Sequence, residues 1–391
     1  MMSLDRVARL TAATACVSFP VAAEGQDANP ANGDSTKIVA AAEPAPPIQV
    51  AGITVSGYLE ASYAYATATE DGTINGRLYD RFNDQFTLNT VKLAIERPYA
   101  PDRFTAGFRG DVLLGQNAAV LQSAGLAIGT QADITQLFVT LNVPTPNRNG
   151  VQVKVGKMAT LLGVELIETV ANPNWSVGNQ FVFVENFTNM GVSVEHKFND
   201  HVDAQLRLMN GWDVVQDNNQ NKSAMGRVGI YPDTLTTLAV TGYYGPEEVD
   251  DESADRSGVQ LVAGRKLLPG LALWLQGDYG REDANPVLPD PTRAATWESA
   301  GAWLSFDVRP TIGIALRADY LNDRQGARTS GVLGFPEHDG QELGSGTLTF
   351  NVRTWEGVLV RPELRYDHST LAAYDGKQER MSVAFSAAVS Y

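Results

Sequence analysis

Residues 379–391 read ERMSVAFSAAVSY, and this stretch decides the fold because apolar and small polar side chains alternate along it without interruption. Met381, Val383 and Phe385 lie on one side of the alternation, whereas serine and alanine residues lie on the other. Successive side chains of a β-strand point to opposite faces of the sheet. The stretch therefore predicts a strand with one apolar face and one small, polar face, which ends on the aromatic residue Tyr391.

The same alternation recurs along most of the chain. About sixteen segments have the length that is expected of tilted membrane strands. Their approximate spans are 52–65, 85–97, 102–114, 133–143, 150–158, 188–198, 202–211, 223–232, 235–245, 257–266, 270–280, 296–309, 311–322, 345–354, 357–367 and 379–391.

The connections between these segments alternate between short and long. Short connections occur at residues 199–200, at Pro269 and at residues 309–310, whereas residues 159–187 and 323–344 form long ones. Outer-membrane barrels have tight periplasmic turns and long extracellular loops, but a soluble β-sandwich has no reason to sort its loops in this way. The predicted fold class is therefore all-β: a transmembrane antiparallel up-and-down β-barrel of about sixteen strands.

Charged residues fall on one face of this alternation. Arg361, Glu363 and Arg365 alternate with Val360 and Leu364, for example. A charge that faces the middle of the lipid costs roughly 2–4 kcal/mol, so a membrane barrel turns such charges toward its lumen. A soluble barrel would show the same alternation with its faces reversed. The loop pattern, the terminal aromatic residue and the export signal described next favour the membrane.

The amino-terminal segment has the features of a secretory signal peptide. Arg6 and Arg9 precede an apolar stretch that ends in small residues at Ala23. The single cysteine, Cys16, lies inside this stretch, and a lipoprotein anchored at Cys16 is the alternative interpretation. We therefore predict a signal peptide at 1–23, a disordered leader at 24–50 and the transmembrane barrel at 51–391.

The composition excludes several classes of function. A formal net charge of -15 argues against nucleic-acid binding, which needs a basic face. No run of about 18 apolar residues occurs, so no transmembrane helix is predicted. An enzyme is not predicted, because none of the 4 histidines lies in a recognisable catalytic motif. We expect no cofactor and no metal site, since phosphate-loop, dinucleotide-binding and Cys/His motifs are missing.

The width of the predicted barrel implies a pore. A barrel of about sixteen strands is too wide for side chains to fill and leaves an aqueous channel. Its wall carries charges of both signs, and we expect more than half of them to pair across strands as structural ion pairs. The residues predicted to line the pore are Lys92, Arg109, Asp111, Lys154, Arg207, Arg317, Asp319, Arg361, Glu363 and Arg365.

The third outer connection, residues 159–187, is the longest and carries Glu165, Glu168 and Glu185. Folded inward, it would narrow the bore and set these acidic residues against basic residues of the wall. We predict a constriction loop that contains these three glutamates. A loop that caps the mouth of the barrel is the alternative.

The closing strand resembles the carboxy-terminal assembly signal of outer-membrane barrels. Phe385, Val389 and Tyr391 share its apolar face. We predict that these three residues form the assembly signal and that the barrel assembly machinery is a partner of the chain.

Three further stretches carry a resemblance to a known family. They are QFTLNTVKLA at residues 85–94, VKVGKMATLLG at residues 153–163 and NGWDVVQDNN at residues 210–219, and the last is the most specific. Together with the closing strand they resemble the OmpL-like porins, also called beta-barrel porin-2. The resemblance runs from about Gly57 to Tyr391. It implies an outer-membrane barrel with a porin-like role, but neither a substrate nor catalytic residues.

We therefore predict a porin of the bacterial outer membrane, through which small hydrophilic solutes or ions diffuse passively. Two alternatives stay open: a channel selective for anions or oligosaccharides, and a structural or adhesive surface barrel. The expected partners are outer-membrane lipid and lipopolysaccharide, the assembly machinery and solutes in transit. A homotrimer is open by analogy with other wide porins, and nucleic acid is not expected.

Overall fold

The structure, a computed structural model, describes residues 48–69, 72–283 and 293–391. The predicted signal peptide at 1–23 and the predicted leader as far as residue 47 lie outside this range. The last residues of the predicted leader, Ile48–Val50, form a short strand, β1, that pairs antiparallel with the beginning of the next strand. The sheet therefore includes residues just before the predicted barrel boundary at residue 51.

Sixteen longer strands follow in the described part of the chain, and they coincide with the segments expected from alternation. They are β2 Ile53–Ala66, β3 Gln85–Arg97, β4 Thr105–Leu114, β5 Ala132–Val143, β6 Val151–Ala159, β7 Thr188–Asn199, β8 Val202–Met209, β9 Ser223–Asp233, β10 Thr236–Pro246, β11 Asp255–Leu268, β12 Leu271–Glu282, β13 Ala295–Arg309, β14 Ile312–Asp323, β15 Gln341–Trp355, β16 Val358–Ser369 and β17 Glu379–Ser390.

These strands close into a single barrel. Each strand from β2 to β16 pairs antiparallel with the next one, and β17 pairs antiparallel with β2, so that Val383 lies opposite Tyr65. Closure leaves none of the strands β2 to β17 with an unpaired edge, which is what hydrocarbon surroundings demand. The predicted fold class is confirmed. No helix in the described ranges has the length and the apolar character needed to cross a bilayer.

Long and short connections alternate around the barrel, as predicted. The short turns share one end with the beginning of β2 and the end of β17, which is the periplasmic end of outer-membrane barrels. The outer loops at the other end are L1 (67–84), L2 (115–131), L3 (160–187), L4 (210–222), L5 (247–254), L6 (283–294), L7 (324–340) and L8 (370–378).

The two faces of each strand have different surroundings. In β16, Leu364 and Tyr366 point outward and are 42% and 39% exposed, whereas Arg365 and Asp367 point inward and are buried. Exposed aromatic residues such as Tyr279 lie near the outer ends of strands, and rings at this level prefer the boundary between lipid and water. The apolar face therefore meets lipid and the charged face meets the lumen.

A hydrophobic core lies inside the barrel, where outer loops fold inward. The rings of Phe181 and Phe187 in L3 are 5.5 Å apart, and Phe183 of L3 stacks on Phe335 of L7 at 5.7 Å. Burying such rings, at roughly 25 cal/mol per Å² of apolar surface, offsets part of the cost of ordering the loops. The helical segments of the described chain are Gln116–Leu121 in L2 and, in L3, a 3₁₀ turn at Thr169–Ala171 and a helix at Asn179–Phe183.

The last residue completes the seam between β17 and β2. The backbone N–H and C=O of Tyr391 exchange two hydrogen bonds of 3.0 Å with Gly57. A Cβ atom added to Gly57 would lie only 2.7 Å from the Tyr391 hydroxyl oxygen, so the aromatic ring covers the glycine on the lipid-facing side. The terminal residue thus has a structural part in closure besides its proposed part in the assembly signal with Phe385 and Val389, which are also exposed on this face.

We expect deletion of Tyr391 to lower the yield of folded barrel, because it removes two backbone hydrogen bonds and uncovers Gly57. Heat-modifiable mobility of outer-membrane fractions on gels measures this yield. Tyr391→Phe is the matched control, since it keeps the bonds and the ring, and it should assemble normally. A deletion variant with normal yield would contradict both the seam and the assembly signal.

Candidate functional site

Loop L3 folds into the lumen, and its two ends meet at a narrow neck. The backbone N–H of Thr160 donates to the carbonyl of Phe187 at 3.1 Å, and the Thr160 hydroxyl donates to Asn186 at 2.6 Å. Almost all side chains between these positions are buried. The loop therefore packs inside the barrel, and its role as a constriction stays a prediction.

The far wall of the barrel binds the tip of L3 through its backbone. The Glu363 carboxylate on β16 accepts hydrogen bonds from the N–H groups of Trp175 and Ser176 at 2.8 and 3.1 Å. Two residues further along the same strand, Arg365 donates to the carbonyl of Val177 at 2.6 Å. The backbone groups at the tip of L3 thus bond to charged side chains instead of to other backbone groups in a helix or sheet. Hydrogen bonds to charged groups contribute about 1.5–3 kcal/mol each.

Arg361 and Glu60 make a second attachment between the wall and the loop. Arg361 on β16 pairs with Glu60 on β2 at 2.5 Å, and it also donates to the carbonyl of Thr169 at 2.6 Å. The hydroxyl of Thr169 donates to the other oxygen of Glu60 at 2.6 Å. All three residues are fully buried. Both members of the ion pair thus hydrogen-bond to Thr169 and hold the 3₁₀ turn of L3 in place.

Arg317 and Asp319 on β14 form a third attachment. Arg317 pairs with Glu165 of L3 at 2.7 Å, and the other oxygen of Glu165 accepts the N–H of Gly178 at 2.7 Å. Asp319 accepts the N–H of Asn179 at 3.0 Å. Glu165 therefore ties the leading and returning limbs of the loop to the same arginine.

Five of the residues predicted to line the pore thus have a different environment from the one expected. All five point into the barrel, as the alternation predicted, but L3 covers them and leaves them 0–6% exposed. They anchor the loop and border no open passage. The reason is that strand alternation tells which way a side chain points, but not what lies in front of it. The five are Arg317, Asp319, Arg361, Glu363 and Arg365.

Part of the opposite wall, formed by β3 to β8, is open to solvent. The side chains of Arg109 and Lys154 are 14% and 15% exposed there. Arg109 bonds Asp111 at 2.9 Å, and Lys154 pairs with Glu195 at 2.7 Å. These residues lie where the sequence placed them, on the lumen face.

Lys92 and Glu168 join this wall to the rim of L3. Lys92 pairs with Asp111 at 2.8 Å and also contacts the Glu168 carboxylate. Glu168 is 19% exposed, and its neighbours Leu166 and Val170 are partly exposed as well. Of the three predicted loop glutamates, Glu168 is the one that borders open space.

Arg207 on β8 lies deeper than predicted. It donates to the side-chain oxygen of Asn189 at 2.9 Å and contacts the carbonyl of Ala159. Both partners belong to strands that lead into and out of L3. Arg207 therefore supports the neck of the loop and is 3% exposed.

Glu185 lies on the returning limb of L3, buried against β11 and β12. Gln260 donates to its carboxylate at 3.2 Å, and Gln276 donates to the same oxygen. The two glutamines also donate to Asp278, so two carboxylates share two amides. Burial raises the pKa of Glu185 well above its ordinary value, and the neighbouring Asp278 raises it further. Sequence reasoning missed the glutamines, although both lie on the polar face of their strands.

We expect L3 to loosen as the pH rises through the raised pKa of Glu185. The stability that a neutral Glu185 gives is complete below about pH 4, where an exposed glutamate titrates, and it is lost as the pH rises through the raised pKa of the folded state. The measurement is the pH dependence of single-channel conductance, which should rise at high pH. Glu185→Gln keeps an acceptor for both glutamines but cannot ionise, so its conductance should depend less on pH. An equal pH response in both proteins would contradict the role of Glu185.

Comparison with known proteins agrees with this architecture. The family model described as "Putative beta-barrel porin-2, OmpL-like" matches residues 52–391. The chain belongs to this porin family. The resemblance seen in the sequence is therefore confirmed, and the bacterial outer membrane is the location of the barrel. No curated protein matches the chain.

Solved structures of other porins and channels share the fold of this porin at low sequence identity. An anion-selective porin from Comamonas acidovorans is 11% identical, with a TM-score of 0.60, and the match covers 87% of this chain and 99% of that one. OprB of Pseudomonas putida is 12% identical, with a TM-score of 0.56 and coverages of 87% and 94%. The trimer form of OmpT of Vibrio cholerae is 9% identical, with a TM-score of 0.52 and coverages of 87% and 99%.

Proposed function

We propose that small hydrophilic solutes cross this porin through a passage between the rim of L3 and the wall formed by β3 to β8. The observation that carries the proposal is the difference in exposure between the two walls. Arg109 and Lys154 keep 14% and 15% of their side-chain surface open, whereas Arg317 and Arg361 keep none. Solvent therefore reaches Arg109 and Lys154 on one wall but not Arg317 and Arg361 on the other.

The charges along this passage favour general diffusion over a dedicated substrate. Lys154 pairs with Glu195, Arg109 with Glu96 and Asp111, and Lys92 with Glu168 and Asp111. Paired charges cancel much of each other's field at the distance of a passing ion. An anion-selective channel would need cations on this wall without acidic partners. The wall therefore supports a polar passage for hydrated solutes of either sign.

We propose also that the chain has no catalytic activity. His338 of L7 lies near the hydroxyl of Thr329 and the carboxylate of Asp323, but the geometry does not suit a catalytic triad. The Nδ1 atom of His338 accepts the N–H of Gly340 at 3.0 Å, so Nε2 carries the proton and cannot accept one from Thr329. Asp323 accepts the Thr329 hydroxyl at 2.6 Å instead of orienting the histidine. This arrangement supports a structural role in L7.

We propose a homotrimer as the functional assembly. OmpT of Vibrio cholerae, which shares the fold, has a trimer form. On the outer face of β13 to β15, Ala302, Ala318 and Gly346 lie in register, and a Cβ added to Gly346 would meet no atom within 4 Å. Small residues let a second surface approach closely. Light scattering of the detergent-solubilised protein should give the mass of three chains, and a particle of one chain would contradict the proposal.

Replacing Lys154 by Glu tests where the passage lies. The variant sets a second carboxylate beside Glu195 and removes a cation from the open wall. A unit charge at 4 Å in water contributes about 1 kcal/mol, so we expect the permeability ratio to move toward cations by about fivefold. Reversal potentials in a salt gradient across planar bilayers measure this ratio.

The matched control is Arg324→Glu, which makes the same change of charge on an exposed arginine of L7 paired with Glu298. Its reversal potential should equal that of the unaltered protein. No conductance steps from the unaltered barrel would contradict diffusion through it and would favour a structural or adhesive barrel. Steps with an unchanged reversal potential in Lys154→Glu would place the passage elsewhere.

A further inference from the structure

The most specific sequence motif of this porin, NGWD at residues 210–213, lies beside the neck of L3. The Oδ1 atom of Asp213 accepts hydrogen bonds from the backbone N–H groups of Phe187 and Thr188, both at 2.8 Å. The N–H of Asp213 donates in return to the carbonyl of Thr188 at 3.2 Å. Three hydrogen bonds thus hold the residues at which L3 rejoins the wall.

The returning limb that Asp213 holds is the one that closes the neck. Phe187 and Asn186 accept the two hydrogen bonds from Thr160 at the beginning of L3. A shift of residues 186–188 would therefore release both limbs together. The far wall binds the tip of the loop, whereas Asp213, together with Arg207, holds the residues where the loop leaves β6 and enters β7.

We propose that Asp213 is the positioning residue that holds L3 across the bore and so sets the size limit of the passage. The inference rests on the proposed function, because a size limit matters only in a conducting barrel. It gives the NGWD motif a physical role that the porin fold by itself does not require.

The neighbouring Trp212 of the motif attaches this segment to β10, L5 and β11. The N–H of Trp212 donates to the carboxylate of Glu247, the first residue of L5, at 2.6 Å. The indole ring lies edge-on to Tyr243 with centroids 4.9 Å apart, and the guanidinium of Arg256 lies 4.7 Å above it. Gly211 has a φ of +140°, in a region that side chains rarely adopt, so the turn before Trp212 needs glycine.

Loop L2 also contacts Asp213. The N–H of Ala124 in L2 donates to the carbonyl of Asp213 at 2.8 Å, and the hydroxyls of Ser123 and Thr188 are 2.8 Å apart. L2, L3 and L4 therefore meet at Asp213. A change at this residue acts directly on the neck of L3.

The environment of Asp213 predicts which substitutions are tolerated. Its carboxylate forms no ion pair within the described residues, and burial raises its pKa well above the ordinary value. Both N–H groups bond to a single oxygen, Oδ1. A neutral side chain of the same shape with one acceptor oxygen therefore suffices. Asn meets this requirement and Ala does not.

The experiment compares Asp213→Ala and Asp213→Asn in the full-length protein reconstituted in planar bilayers. We expect Asp213→Ala to show about twofold higher unitary conductance and to admit larger polyethylene glycols, because the loop leaves the bore. Asp213→Asn should match the unaltered protein in both measurements. If Asp213→Asn behaves as Asp213→Ala does, hydrogen-bond acceptance is not the role of this residue.

Limited proteolysis reports the position of L3 without any conduction. Chymotrypsin cleaves after aromatic residues, and L3 carries Trp175 and Phe181, both buried. We expect cleavage within L3 in Asp213→Ala and resistance in Asp213→Asn. A resistant loop together with an unchanged polymer limit in Asp213→Ala would overturn the proposal. Loss of conduction in the unaltered protein would overturn the proposed function but leave this cleavage pattern as expected.

The matched control is Asp217→Ala in the same loop. Asp217 also accepts two backbone N–H groups, those of Asn219 and Gln220, at 3.0 and 2.9 Å, but both belong to L4 itself. This variant should keep both the conductance and the resistance to chymotrypsin.

Hydrogen exchange of the unaltered protein keeps the claim testable even where Asp213→Ala fails to assemble. The amides of Phe187 and Thr188 should be protected as strongly as those of β7. Rapid exchange at these two amides would overturn the anchoring role.

Discussion

The structure depends on one constraint: backbone N–H and C=O groups within hydrocarbon need partners from the protein itself. Leaving one of them without a partner costs several kcal/mol, so a membrane sheet has to close. Here β17 closes on β2, and the final bonds of the seam run between Tyr391 and Gly57. Once the sheet is closed, each strand has a lipid side and a lumen side. Because side chains alternate along each strand, apolar residues then face lipid and charged residues face the lumen.

Closure of sixteen strands creates a second problem, because the lumen is wider than side chains can fill. On one side of the barrel, L3 fills this space. Buried charges are costly unless they are paired and hydrogen-bonded, and Arg317, Arg361 and Glu363 are satisfied by the ions and backbone groups of the loop and wall together. Loop and wall therefore stabilise each other. On the wall of β3 to β8, L3 leaves Arg109 and Lys154 partly exposed.

Prediction from sequence succeeded wherever the physics is local. The strand expected at 296–309 is Ala295–Arg309, because alternation and turn chemistry act within a few residues. The inward direction of Arg361 and Arg365 was correct for the same reason. Their burial was not expected, since the partner of Arg361 in L3, Thr169, is 192 positions away along the chain. Glu165, Glu168 and Glu185 looked alike in sequence, yet Glu168 is partly exposed and the other two are buried.

The sequence by itself determined that the chain is a closed membrane barrel with apolar residues outward, charged residues inward and a long third loop. It could do so because lipid acts on every strand alike and leaves a repeating pattern. Only the tertiary structure decided which charges meet water, which hold the loop and why Asp213 lies against Phe187 and Thr188. Those outcomes depend on contacts across the bore. Such contacts leave no repeating pattern in the sequence, because each of them joins a single pair of residues that are far apart along the chain.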